Sequence, residues 1–328
     1  MLEQQERLWD YDAVEPGQAG PPTVVAITRG NVAEYARLSQ NPGYIGGPLA
    51  MPTMVISYAP LLRNDIAENN GYVVLEESRT ARRQTPFAKC EARWSKPVQV
   101  GDTITGNRRV LEKYQRRGSK FVVFRIEATN QDGDQVAAYD YTCIFEYARG
   151  QRAAPAGAAA PAPAPSAVTT FPARRLGYES SSVGDQLATL TITESQEVIN
   201  RRNEFRLAGK VSASNIHTDE EFARQNIFGG TVNAGPATMS YVDQMLQRSF
   251  PLSAFYRGGT LLMRAITPFR SGDTVIFRGE ITGKRQNPSW IPPYQGESSA
   301  GILECRITGE NQREELVCLA DATMVMPV

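Results

Sequence analysis

The chain holds a single histidine, His217, so a reaction that needs a proton shuttle near neutral pH has one imidazole to use. It lies in SASNIHTDEEFARQNIFGGTVNAGPATMSYV, residues 212–242, ahead of a Gly-Gly pair and an apolar run. Ser212 and Asn215 can hold a water by hydrogen bonds but cannot act as bases unaided. Asp219, two residues past the imidazole, has the position of a loop or helix cap. Four cysteines, Cys90, Cys143, Cys305 and Cys318, are widely spaced, with no CxxC and no histidine pair nearby. Neither a zinc site nor a redox motif is legible, and buried free thiols are expected.

The elements that must position these residues come from a chain of 328 residues, 41% hydrophobic, enough for about two domains of ~150 residues with cores of their own. Thirty-five Lys plus Arg balance thirty-five Asp plus Glu, with no run of five or six like charges, which argues against nucleic acid or an anionic membrane as partner. The N-terminal MLEQQERLWDYD lacks an apolar core, and no window approaches the ~18 apolar residues of a membrane span. A cytoplasmic protein is expected.

Residues 150–170, GQRAAPAGAAAPAPAPSAVTT, read as an extended linker between halves 1–149 and 171–328. The halves repeat in order: residues 24–39 with 190–205, 46–62 with 229–246, 98–106 with 269–277, and 121–147 with 302–326. In the second half Thr193 and Gln196 have capping-box spacing. Each half predicts one apolar helix after a Gly-Gly turn, then about four strands with hairpin turns. Met239, Val242, Met245 and Leu246 form one helical stripe, fit to lie against a sheet. Period-two alternation in the strands argues against a parallel sheet. The expected fold is therefore α+β, a double hotdog of two tandem repeats, each a central helix wrapped by an antiparallel sheet. A lone half would leave a bare edge strand, so both should fold as one unit.

The 212–242 segment resembles the signature of the MaoC-like family of (R)-specific enoyl-thioester hydratases and 3-hydroxyacyl-thioester dehydratases. His217, Asp219, Ala223, Gly229, Gly230 and Gly235 fall at the motif's offsets without a gap. The family's aspartate falls on Ser212, its Asn-Pro on Ser214 and Asn215, and its histidine before the helix glycine on Ala234. In the first half SQNPGYIGG keeps Asn41 and Pro42 but has Ser39 for the aspartate and Tyr44 for the histidine. The resemblance implies a first half that helps bind the acyl chain and carries no chemistry.

Adding water to an enoyl thioester needs a base for the water, an acid for the α-carbon, and hydrogen bonds to the thioester oxygen as it becomes enolate-like. The resemblance gives the catalytic positions to His217, to Ser212 in place of the aspartate, and to Gly235, whose N–H opens the central helix. Substrate contacts would come from Asn215, Asp219, Gly229, Gly230, Asn233 and Ala234. No metal or redox cofactor is implied; the substrate would be a CoA or carrier-protein thioester, and a homodimer is expected. Asp243 reads as a solvated helix residue; a hotdog thioesterase would instead use a helix carboxylate of this kind. A diverged acyl-thioester binder without hydratase activity is the third reading. Arg257 and Arg264 read as surface solvation, and the insertion at 283–299, with Trp290 and Tyr294, as a substrate or oligomer cover or a loop.

Overall fold

The computed structural model describes residues 6–150, 169–211, 214–287 and 300–328. The first half comprises β1 (Leu8–Trp9), β2 (Thr23–Ala26), α1 (Arg29–Leu38), α2 (Val55–Tyr58), α3 (Arg63–Asn69), β3 (Val73–Val74), β4 (Phe87–Trp94), β5 (Thr103–Arg116), β6 (Ser119–Thr129) and β7 (Gln135–Glu146). The second comprises β8 (Leu190–Thr193), α4 (Gln196–Glu204), α5 (Glu220–Gln225), α6 (Gly235–Gln247), α7 (Ser253–Tyr256), β9 (Thr260–Ala265), β10 (Thr274–Asn287), β11 (Ala300–Asn311) and β12 (Leu316–Pro327). Ten strands form one sheet in the order β2-β5-β6-β7-β4-β9-β12-β11-β10-β8. Outward from the centre, each strand of the first half has its counterpart in the second, and the fold is a double hotdog.

The join is β4 against β9, antiparallel, with Cys90 opposite Met263 and Ala92 opposite Leu261. Neither half keeps a free edge there, which removes the template for pairing with other chains. The long strands alternate buried and open positions, as in β5, so one face covers the core while the other meets water. Over that face runs α6, in which every residue from Ala237 to Leu246 is buried. Gly279 of β10 admits the helix: a Cβ there would stand 2.9 Å from Met245 Cε.

Each half gives the large sheet the four strands expected after its helix and one short strand, β2 or β8, ahead of it. Two expectations change. The first half's helix is a 3-10 turn, Pro52–Met54, followed by the four residues of α2. Pro60 disfavours helical backbone at Ala59 before it, and Ala59 leaves the helix at φ −128°, ψ 69°. Second, α4 is capped by Ser195, whose side chain accepts from Val198 N. Thr193 ends β8, and its hydroxyl hydrogen-bonds Thr274 across the strands at 2.9 Å. The 283–299 insertion begins as the end of β10; its remaining residues, Trp290 and Tyr294 among them, and nearly all of the 150–170 linker lie outside the described residues. No described helix is long and apolar enough to cross a membrane, and all four cysteines are buried and free.

Asp243, expected at the surface, is fully buried. Its Oδ2 accepts from Thr53 N at 3.0 Å and Thr53 Oγ1 at 2.6 Å, and its Oδ1 from Gln247 Nε2 at 2.6 Å. Gln247 Oε1 accepts from Tyr44 O–H at 2.6 Å. A helix enclosed all round must satisfy its polar residues inside, and here Thr53 and Tyr44 come from the other half while Gln247 is one turn along the same helix. Burial pushes the Asp243 carboxyl up to about 6 from 3.8, against the pull of the Thr53 and Gln247 hydrogen bonds. A raised acid favours the fold when protonated, so its contribution is full below pH 3.8 and is lost as pH rises through about 6. Asp243→Asn abolishes this titration. Its Tm relative to the unsubstituted protein should climb between about pH 4 and pH 7; a difference that stays flat across that range would refute the burial account.

Candidate active site

His217 follows a tight polar turn. Asn215 Oδ1 accepts the His217 backbone N–H at 2.8 Å, while Asn215 Nδ2 donates to Asn203 Oδ1 at 2.9 Å, tying the turn to α4. Gln196 Nε2 donates to the His217 carbonyl at 2.9 Å. The imidazole Nδ1 lies 2.8 Å from the carbonyl oxygen of Val232. A carbonyl only accepts, so Nδ1 carries the proton and Nε2 of the neutral ring keeps its lone pair. Withdrawal from water pulls the His217 pKa below 6.5; the Val232 hydrogen bond opposes this, and the Arg206 and Arg63 charges add to it. The ring is therefore neutral and basic at pH 7.

Two cavities meet at this ring. One, of about 250 Å³, lies between the halves, with Tyr35, Ile56 and Leu61 on one side and Arg202 and Phe205 on the other. The second, of about 490 Å³, is walled by residues such as Phe121, Ile144, Phe228 and Pro268. His217 and Asn233 line both. Phe87 lines the second and Tyr141 the first, their rings edge to face at 5.0 Å, so this pair stands between the cavities. Among the described residues no Asp or Glu lines either cavity.

The start of α6 borders the same junction: Gly235 lines the larger cavity and Ala234 the smaller. Residues at a helix start have no intrahelical partner for their N–H. Ala234 N–H is taken by Asn233 Oδ1 at 2.8 Å, and Pro236 has none to offer. The Gly235 N–H meets no acceptor among the described residues, which makes it the donor a ligand oxygen could find. The glycine also has a packing reason: a Cβ there would stand 2.1 Å from the Phe87 ring.

Beneath the junction is a carboxylate that neither motif nor spacing pointed to. Glu194, 2% exposed, accepts from Asn233 Nδ2 at 2.6 Å and Tyr241 O–H at 2.7 Å on one oxygen. Burial pushes its pKa up against the pull of these donors. It fixes the orientation of Asn233 and lines neither cavity. Its position directly before the α4 cap, Ser195, was the one signal available, and a lone Glu at a strand end carries no chemical meaning by itself.

The other expected site residues serve the loop. Asp219 caps α5, accepting from Phe222 N at 2.9 Å, and Ser214 hydrogen-bonds its other oxygen. Gly229 turns the chain at φ 63°, and neither it nor Gly230 nor Asn215 reaches a cavity wall. Ser212 lies outside the described residues. Arg264 pairs with Asp321 at 2.7 Å. Tyr44, the first half's counterpart of the histidine, is spent on Gln247 and lines no cavity.

Residues 191–289 match the family model for the MaoC like domain. No curated protein matches the chain significantly. Among solved structures, a MaoC domain protein dehydratase from Chloroflexus aurantiacus is similar at TM-score 0.64 and 16% identity, covering 99% of both chains. A conserved protein of Mycobacterium tuberculosis described as having a double hotdog fold is similar at TM-score 0.55 and 14% identity, over 97% of this chain and 98% of that one. The peroxisomal multifunctional enzyme type 2 of Drosophila melanogaster is similar at TM-score 0.54 and 15% identity, over 94% of this chain and 48% of that one. At these identities the likeness shows the fold.

Overpacking at the helix start tests the geometry. Gly235→Ala should lower stability by about 1–3 kcal/mol, and most of that loss should vanish in a Phe87→Ala background, where the methyl has room. A full loss in both backgrounds, read by thermal melts, would place the strain elsewhere. Residues 191–289, which hold His217 and Gly235, thus match the MaoC like domain, within a chain whose double-hotdog fold is shared with these solved structures.

Proposed function

We propose that the protein adds water to, or removes it from, an acyl thioester, with His217 moving the proton and the Gly235 N–H holding the thioester oxygen. The observation that carries this reading is the hydrogen bond from His217 Nδ1 to Val232, which leaves the basic Nε2 at the point where the two cavities meet. In hydration, Nε2 takes a proton from water as the oxygen bonds to the β-carbon; the electron pair moves to the thioester oxygen, facing the Gly235 N–H. The imidazolium then returns its proton to the α-carbon, and the thioester carbonyl re-forms. Dehydration is the reverse. The match of residues 191–289 to the MaoC like domain supports hydratase or dehydratase chemistry in general; the residue roles are our reading of the geometry.

The thioesterase alternative needs a carboxylate near the thioester carbon, and Asp243 is turned to Thr53, away from both cavities. The binding-protein alternative draws on the absence of Asp and Glu from the described cavity walls. Turnover separates them. Loss of the conjugated enoyl absorbance without thiol release supports hydration; thiol release supports hydrolysis; tight binding with neither supports a binder.

His217→Ala should cut hydration of a short enoyl thioester by about 10²–10⁴-fold with Tm little changed. Because the base must be neutral, kcat/KM should fall on the acid side with a pKa below 6.5 and level off above it. Full turnover in His217→Ala would end the assignment. Ser212→Asp, which restores the family's carboxylate, should raise the rate of a simple enoyl thioester by about 10-fold or more; no gain from a folded variant would mean that another group already shares the proton work.

A further inference from the structure

The cavity between the halves is lined by three arginines, Arg63, Arg202 and Arg206, and by no described Asp or Glu. Arg63 is committed: it faces Glu76 at 3.1 Å and donates to the Thr85 carbonyl at 2.8 Å. Arg202 is not. Its Nη2 donates to the Leu38 carbonyl, Ser39 Oγ at 3.3 Å and Ser240 Oγ at 3.4 Å. Its Nε is buried without an acceptor, the Tyr35 hydroxyl is a further hydrogen-bond partner of the guanidinium, and the side chain lines the cavity. The guanidinium stands 5.8 Å from the ring centroids of both Tyr35 and Tyr241. No described carboxylate makes an ion pair with it at contact distance; the buried Glu194 feels its charge from farther off.

Arg206, nearer the solvent, donates only to the Arg202 and Phe205 carbonyls and to Asn203 Oδ1. A cation drawn out of water without an anion is costly, and a guanidinium's planar donors match a carboxylate. Much of the remaining wall, Leu38, Ile56, Leu61 and Ile199 among it, is apolar, with Ser57, Asn203, Asn233 and His217 interspersed. Such a cavity fits a short apolar stem with an anionic end. The larger cavity has no Asp, Glu, Lys or Arg among its described walls, and its His217 is neutral, which suits the neutral stem of a thiol carrier.

We propose that the acyl group taken by this site carries a free carboxylate, held by Arg202 with Arg206 beside it, so that the substrate is the monothioester of a short dicarboxylic acid. This rests on the acyl-thioester reading above. The phosphates of a CoA arm are the other source of an anion, and the test separates the two. N-acetylcysteamine thioesters have no phosphate, so equilibrium binding of the succinyl and butyryl thioesters to the full chain compares carboxylate with methyl alone. The succinyl thioester should bind about 10-fold tighter or more, and Arg202→Gln should bring the ratio to about one, with Arg206→Gln lowering it less.

Equal binding of the two thioesters by the unsubstituted protein overturns the proposal without need of a variant. So does a preference that survives in folded Arg202→Gln, or an Arg202→Gln effect confined to CoA thioesters and equal for both acyl groups. Binding is read apart from turnover: discrimination with no hydration of the matching enoyl thioester sinks the hydratase reading and leaves the carboxylate subsite standing. Hydration with no discrimination does the reverse.

Discussion

Because Phe87–Trp94 hydrogen-bonds along Thr260–Ala265, two half-sheets with exposed edges become one ten-stranded sheet, and the space between the halves becomes part of the protein. That space is the site. The smaller cavity takes one wall from the first half and another from the second, and Phe87, on the joining strand itself, packs on the first residue of the central helix. Neither half alone could enclose a substrate there. The cross-half bonds of Asp243 to Thr53 and of Arg202 to Leu38 set the spacing of the walls.

The electrostatics of the core follow from how little water reaches it. Buried carboxylates at Glu194 and Asp243 are each satisfied by neutral donors rather than cations, and burial raises both pKa values. In the cavity the balance reverses: cations line it and no described carboxylate does, and burial, with the Arg206 and Arg63 charges adding to it, lowers the imidazole pKa and keeps the ring unprotonated. A site arranged in this way favours an anionic ligand and a neutral base together. It also leaves His217 without a described carboxylate to share its proton, where Ser212 takes the place of an aspartate in the family signature.

The double repeat was legible because strand patterns survive divergence: the Gly-Asp turns before Thr103 and Thr274 and the paired hairpins 121–147 and 302–326 kept their order. His217 was legible because it is the only histidine, in a loop with fixed offsets to Gly235. What could not be read depends on distant partners. Asp243 looks like a surface residue until Thr53, 190 residues earlier, supplies its hydrogen bonds. Arg202 reads as one of many surface arginines until the first half folds over it, and Glu194 gains meaning only beside Asn233. Gly235 has the opposite lesson, since its match to the family motif hid a second cause in the ring of Phe87.

If one thioester spans the two cavities with its reacting carbons at His217, a crystal structure of the protein with a short enoyl-CoA will show it directly. The thioester oxygen should then lie at about 3 Å from Gly235 N and the β-carbon within one water of His217 Nε2. An acyl thioester bound with its carbonyl away from Gly235, or with its β-carbon beyond the reach of a bridging water, would contradict it.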